Sequence, residues 1–175
     1  MKKILITRKL IKSSEEYASS IFNVKLNKED KVLTKDELIS QSNDCDGILT
    51  SLTEKLDVDT ISKLSGKIKI ISNFAVGVGN IDLDAAKKRN IVVTNTPDVL
   101  TDATAEIAIL VLLGAARRAK EGMEWANKKN WKWSVDFLMG KQLTGSRLGI
   151  LGMGRIGRAV ADRARSFGMK IHYYN

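Results

Sequence analysis

The 175-residue sequence predicts an α/β protein: a parallel sheet flanked by helices, followed by the start of a second β-α-β unit. Three observations carry this. Short apolar runs of strand length alternate with helix-length segments, a pattern that parallel sheets require because each crossover carries a helix. Cap and turn residues separate the segments. The last third of the chain places a glycine-rich turn between an apolar run and a helix.

The opening run Ile4-Leu5-Ile6-Thr7 is β-rich and suits a buried parallel strand. A helix is expected from about Ser13 to Ile21 and a strand at Val24 to Leu26. Thr34 followed three residues later by Glu37 is a capping box, so a second helix should run to about Ser40. The alternation continues with a strand at Gly47 to Thr50, a helix near Val58 to Leu64, a strand at Ile68 to Ser72, a helix near Leu83 to Arg89 and a strand at Ile91 to Thr94. The single proline, Pro97, closes this series ahead of the most apolar helix, about Asp102 to Arg118. Its Ile107 to Ala116 section is apolar all round and is expected to be buried on every face, between two domains or two subunits, while Arg117, Arg118 and Lys120 suit the negative end of its dipole. The stretch from Trp125 to Leu143 reads as a loop holding Trp125, Trp131, Trp133 and Phe137, and either an interface or packing on its own chain accounts for it. A strand at Leu148 to Leu151, a helix from Arg155 to Phe167 and a strand from Met169 to Tyr174 complete the sequence, which contains no internal repeat.

Composition excludes several classes. With 43% hydrophobic and 28% charged residues, the chain is an ordinary globular one. Ile107 to Ala116 is half of the roughly 20 residues a membrane-spanning helix needs, and the amino terminus lacks a long apolar signal core, so a cytoplasmic location is expected. Cys45 is alone and can form no intrachain disulfide. The net charge of +9 comes from scattered lysines, with only short clusters such as Lys87-Lys88-Arg89, and no nucleic-acid motif accompanies them. That pattern reads as a lysine-rich surface compatible with anionic ligands. No metal site is assigned.

Gly152-Met153-Gly154-Arg155-Ile156-Gly157 fits GxGxxG. The pattern gains its weight from context: it directly follows an apolar strand and opens a helix rich in small residues, Ala159, Ala161 and Ala164. Gly152 permits the tight turn, Gly154 lets backbone approach a pyrophosphate, and Gly157 lets helix and strand pack closely. The N–H groups of Arg155 and Ile156 would then point at the phosphates, helped by the helix dipole. A ribose-binding group is expected about 20 residues beyond the glycines, at the end of the next strand. Asn175 stands there. A carboxylate would accept from a ribose hydroxyl and repel a 2′-phosphate, whereas asparagine does neither strongly, so NADP is favoured over NAD.

Four blocks resemble the D-isomer-specific 2-hydroxyacid dehydrogenases, most of all their glyoxylate and hydroxypyruvate reductases. They are Ile70-Ile71-Ser72-Asn73-Phe74-Ala75-Val76-Gly77-Val78-Gly79-Asn80-Ile81-Asp82, Val93 to Glu106 with its Asn95-Thr96-Pro97-Asp98 turn, Trp131-Lys132-Trp133, and Leu143 to Tyr174. Together they cover about residues 45 to 175; the first 45 resemble the family only in pattern. The resemblance implies a flavodoxin-like substrate domain over 1–98, a connecting helix and dimerisation arm over 99–143, and an incomplete Rossmann NAD(P)-binding domain over 144–175, with the active site in the cleft. It implies that the backbone N–H groups of Val76 and Gly77 hold the substrate carboxylate; read from the residues alone, that loop is a plain strand-to-helix turn. Thr104 matches a position that contacts cofactor in relatives, against a competing reading as a helix residue meeting only protein. The resemblance also implies a homodimer through 102–143.

The arginine, histidine and acidic residue that carry the family's chemistry match no position here, so no catalytic residue is assigned and the 175-residue chain alone is expected to be inactive. His172, the only histidine, reads as a packed strand residue, and Arg117 and Arg118 as a helix end. The expected function is NAD(P)H-dependent reduction of a small 2-oxo acid, by an enzyme of which this is an amino-terminal fragment. The alternatives are an inactive remnant acting as a dimerising or dinucleotide-binding module, and a relative that reads NADH as a sensor.

Overall fold

Lys3–Ile6 forms strand β1, and its neighbours on either side are β2 (Asn23–Leu26) and β3 (Gly47–Thr50), both parallel to it. β4 (Ile70–Asn73) pairs with β3 and β5 (Val92–Thr94) with β4, again parallel, so the sheet runs β2-β1-β3-β4-β5. Helices α1 (Lys12–Ile21), α2 (Lys35–Ser42), α3 (Val58–Lys63) and α4 (Leu83–Lys88) fill the crossovers. In this computed structural model, which describes residues 1–128 and 132–175, these elements belong to the first of two units, Met1–Pro97. Leu5, Ile48, Ile61 and Ile71 lie at its centre, each at most 2% exposed. The apolar runs of the middle strands have the near-continuous character of a parallel sheet covered on both faces.

The capping box expected at Thr34 and Glu37 forms. Thr34 caps α2 by accepting from the Glu37 N–H at 3.3 Å, while Glu37 accepts from the Thr34 N–H at 2.9 Å. Asp57 and Asp82 cap α3 and α4 in the same way, accepting from the N–H three residues on. Each satisfies an amide that the first helical turn leaves unpaired.

The second unit, Asp98–Asn175, contains α5 (Thr101–Ala116), α6 (Ala119–Ala126), β6 (Arg147–Leu151), α7 (Arg155–Ser166) and β7 (Lys170–Tyr174). β6 and β7 pair in parallel, and Ile109, Leu143, Ala164 and Met169 form the buried centre. Arg163 of α7 donates to Asp102 of α5 at 2.9 Å.

Three expectations need correction here. α5 is not buried all round: Ala105 and Ile109 are buried, but Ile107, Leu110 and Val111 are 59%, 63% and 63% exposed. Its other side packs on α7, and the two-stranded sheet with α6 and α7 does not enclose a helix that is apolar on every side. Part of the stretch read as loop is helical, because Trp125 sits in the last turn of α6, edge-on to Phe137 with ring centroids 5.6 Å apart and with the Lys128 ammonium over its ring. Trp133 is exposed, and Trp131 lies outside the described residues. His172 pairs with Gly149 across the sheet but is exposed rather than packed, since no further layer among the described residues covers it. No helix of the described residues is long and apolar enough to cross a membrane.

Candidate functional site

Two candidate binding elements emerge, one in each unit. The first is the loop after β4. In a parallel sheet the loops after neighbouring strands lie side by side, and here the segment after β5 reaches across to the loop after β4. The carbonyl of Ala75 accepts from the Thr96 N–H at 2.9 Å, that of Val76 from the Asn95 side-chain amide at 2.7 Å, and that of Gly77 from the Asn73 side-chain amide at 2.8 Å. Three consecutive carbonyls are therefore tethered. A trans peptide points its N–H opposite to its carbonyl, so the N–H groups of Val76, Gly77 and Val78 face away from these tethers. No acceptor among the described residues takes them. A side chain at Gly77 would meet nothing within 4 Å, and its backbone is not in the left-handed region. Neither packing nor conformation among the described residues calls for glycine there, and the missing Cβ leaves the loop open to close approach. Unpaired backbone N–H groups of this kind can hydrogen-bond an anion.

The far end of the loop is fixed from below. Asn73 is fully buried, and its amide also donates to the Asn80 side chain at 3.1 Å. Asn80 donates in turn to the carbonyls of Ser51 and Glu54 at 2.9 and 3.1 Å. The Glu54 carboxylate, 2% exposed, accepts from Thr50, Ser51 and Thr53, and Thr53 accepts from Arg8 at 3.0 Å. Arg8 forms a bidentate pair with Asp30; its guanidinium, followed by the Lys9 N–H, holds that carboxyl down at about 2. Asn73, Asn80 and Asn95 received no role from sequence reasoning. Their partners are set by strand order, and no spacing signal in the chain announces it.

The second element is the glycine turn between β6 and α7. Gly152 has φ +93°, which side chains rarely adopt, and a Cβ at Gly157 would lie 2.2 Å from the Gly152 carbonyl oxygen. Both glycines are thus demanded by the fold itself. Gly154 is not: it caps α7 in extended conformation, and a Cβ there would meet nothing within 4 Å. α7 has no side-chain cap and no acidic residue in its first turn, so its first amides, at Arg155 and Ile156, are free at the positive end of the helix dipole. The Arg155 side chain turns instead to Asp98, 3.0 Å away.

Asn175 sits beside this turn, its side-chain oxygen accepting from the Met153 N–H. Thr104 is exposed on α5 and lines an apolar groove with Ile107 and Val111 of the same helix and with Leu148 to Leu151 of β6, the strand that leads into Gly152. The second unit thus brings Gly152, Gly154, Arg155, Ile156, Gly157 and Asn175 together at one end of the sheet, with Thr104 on the groove beside it. These residues fit a dinucleotide: open space over Gly154 for a pyrophosphate, and uncapped amides facing it. Val76 and Gly77 belong to the other unit. Among the described residues no group of acidic, histidine or cysteine side chains could hold a metal ion.

Comparison with known proteins gives a consistent result. Residues 4–167 match the sequence profile of the D-isomer specific 2-hydroxyacid dehydrogenase catalytic domain. A glyoxylate reductase of Thermococcus kodakarensis is 39% identical over 178 residues, spanning 99% of this chain and 53% of the relative. A glycerate dehydrogenase of Hyphomicrobium methylovorum is 42% identical over 175 residues, spanning 99% of this chain and 54% of the relative. Among solved structures, a D-isomer specific 2-hydroxyacid dehydrogenase described as NAD-binding, from Polaromonas sp. JS6 66, superposes with a TM-score of 0.89 at 41% identity, covering 100% of this chain and 55% of that one. A glyoxylate reductase from Paecilomyes thermophila superposes with a TM-score of 0.75 at 31% identity, covering 98% and 55%. The chain spans about half the length of the relatives it matches.

Proposed function

This chain belongs to the D-isomer specific 2-hydroxyacid dehydrogenase family, and on that premise we propose that it supplies the carboxylate- and dinucleotide-holding elements for reduction of a small 2-oxo acid to the D-2-hydroxy acid. Glyoxylate and hydroxypyruvate are the proposed substrates, in keeping with the names of the relatives, and the Met1–Pro97 unit is the proposed substrate domain. The observation that carries the proposal is the contrast within the glycine turn. Two glycines answer to the fold, while the space over the third, Gly154, is open to a ligand.

In this reading the amides of Arg155 and Ile156 hold the pyrophosphate, Asn175 meets the adenosine ribose and Thr104 lies against the dinucleotide. The amides of Val76 and Gly77 hold the substrate carboxylate. A bound nicotinamide would supply the hydride to the keto carbon. NADP is the preferred cofactor because Asn175 brings no negative charge to repel a 2′-phosphate. A cytoplasmic location and a homodimer through 102–143 belong to the same reading.

The residues that would orient the keto acid and protonate its oxygen match no position in this sequence, and His172 lies within β7. Proton donation to the carbonyl oxygen contributes about 10² to 10⁴ in rate, and loss of orientation adds to its absence. The purified 175-residue chain should therefore bind NADPH yet leave NADPH consumption with glyoxylate or hydroxypyruvate at background. Activity should return when a segment carrying those three residues is supplied. Turnover by the chain alone that survives rigorous purification, and disappears on Gly154→Val, would overturn this assignment of roles.

A further inference from the structure

We propose that Asn95 and Asn73 are positioning residues for the carboxylate site: they fix the orientation of the Val76 and Gly77 peptides, and so decide whether the loop presents N–H groups or carbonyls to an anion. The inference rests on the reading of Val76 and Gly77 as that site. It comes from the tethers. The Val76 carbonyl is held at 2.7 Å by the Asn95 amide and the Gly77 carbonyl at 2.8 Å by the Asn73 amide. The Val76 carbonyl and Gly77 N–H belong to one rigid peptide unit, as do the Gly77 carbonyl and Val78 N–H. Rotation of either unit swaps a donor for an acceptor.

A glycine flanked by two such units has little intrinsic resistance to rotation, since no Cβ restricts φ and ψ at Gly77. Gly77 is exposed, and a Cβ built there meets nothing within 4 Å, so packing supplies no restraint either. The side-chain amides supply it. Asparagine serves here because its amide carries both a donor and an acceptor. Asn73 uses the donor on Gly77 and, with Asn80, forms an amide pair that is itself tied to the Ser51 and Glu54 carbonyls. Asn95 lies one residue beyond β5, on the neighbouring strand. The two tethers therefore approach the loop from two different strands, and loss of either one frees one peptide unit. The structure also adds Val78 to the donors, because its N–H is the partner of the tethered Gly77 carbonyl.

The test is a titration of the ¹⁵N-labelled 175-residue chain with oxamate, a 2-oxo carboxylate that reduction does not consume, following the amide resonances of Val76, Gly77 and Val78. In the unsubstituted chain all three should shift together. Asn95→Ala removes an exposed side chain, so the spectrum should stay dispersed and NADPH binding unchanged, while the free Gly77 amide resonance moves and oxamate affinity falls at least about tenfold, as loss of one oriented hydrogen-bonding unit implies. Asn73→Ala should do the same at Val78; if that buried change prevents folding, Asn95→Ala decides alone. Unchanged oxamate affinity and an unmoved Gly77 resonance in Asn95→Ala would overturn the inference while leaving the carboxylate site in place. Absence of any oxamate shift at 76–78 in the unsubstituted chain would instead overturn the reading of the site, and the inference with it.

Discussion

The side-chain oxygen of Asn175 accepts a hydrogen bond from the Met153 N–H, 2.5 Å away, which joins the end of β7 to the middle of the glycine turn. The adjacent Gly152 N–H donates to the Tyr174 carbonyl at 2.8 Å, so two successive amides of the turn are tied to the strand end. With its oxygen taken by the Met153 N–H, Asn175 keeps its amide nitrogen, a donor, without a partner among the described residues. Aspartate is nearly isosteric and would keep the bond to Met153 while replacing that donor by a negative oxygen.

The first expected outcome follows for a complete dehydrogenase built on this chain. Its kcat/KM should be higher with NADPH than with NADH, and Asn175→Asp should lower the NADPH-to-NADH ratio by at least about tenfold, roughly 1.4 kcal/mol of added repulsion against a 2′-phosphate. Kinetics with the two cofactors measure it directly. A clear NADH preference in the unsubstituted enzyme would contradict the role given to Asn175.

The glycine turn predicts opposite behaviour for two glycines three residues apart. Gly157→Ala forces a Cβ onto the Gly152 carbonyl and should cost about 1 to 3 kcal/mol of stability, read as a lower unfolding midpoint. Gly154→Val meets open space on an extended backbone, so stability should stay within about 0.5 kcal/mol while NADPH binding is lost. Retained NADPH affinity in Gly154→Val would show that the space over residue 154 holds no phosphate.

Acid should act through the capping box of α2. The Thr34 backbone N–H, then the Lys31 ammonium and the Thr34 hydroxyl, hold the exposed Glu37 carboxyl down to about 2 from an ordinary 4.5. Because the folded value is depressed, the stability it contributes is fully present above 4.5 and is lost as pH falls through about 2. The gap in unfolding midpoint between the unsubstituted chain and Glu37→Gln should therefore narrow across that window. A gap that stays constant from neutral pH to 2 would exclude this linkage.

Ile107, Leu110 and Val111 form an exposed apolar face of α5, and association between copies would cover it. Sedimentation at micromolar concentration should show a dimer, and Val111→Asp should shift it to monomer without altering helix content, since that side chain is 63% exposed. A stable, well-folded monomer of the unsubstituted chain would refute the pairing.

Much of the fold was legible because it rests on local rules. The β1 to β5 alternation, the Thr34 and Glu37 capping box and the GxGxxG turn each depend on residues within a few positions of one another, so spacing alone reveals them. Helix α6 escaped because it carries Gly122 in its middle and begins at Arg118 in the left-handed region, where no side chain caps it. The exposed face of α5 escaped for another reason: an apolar pattern shows that a surface needs covering but not whether this chain covers it.

By itself, then, the sequence determined the α/β class, the strand and helix order, the position of the glycine turn and, through its motif blocks, the resemblance to a dehydrogenase family. Only the tertiary structure decided which groups are left free to bind. The Val76 carbonyl is tethered by Asn95, 19 residues away, and the Met153 amide by Asn175, 22 residues away. Such partners become neighbours only after parallel strands have set their order and register. A free N–H is defined by what every surrounding group fails to reach, and that is a property of the folded arrangement.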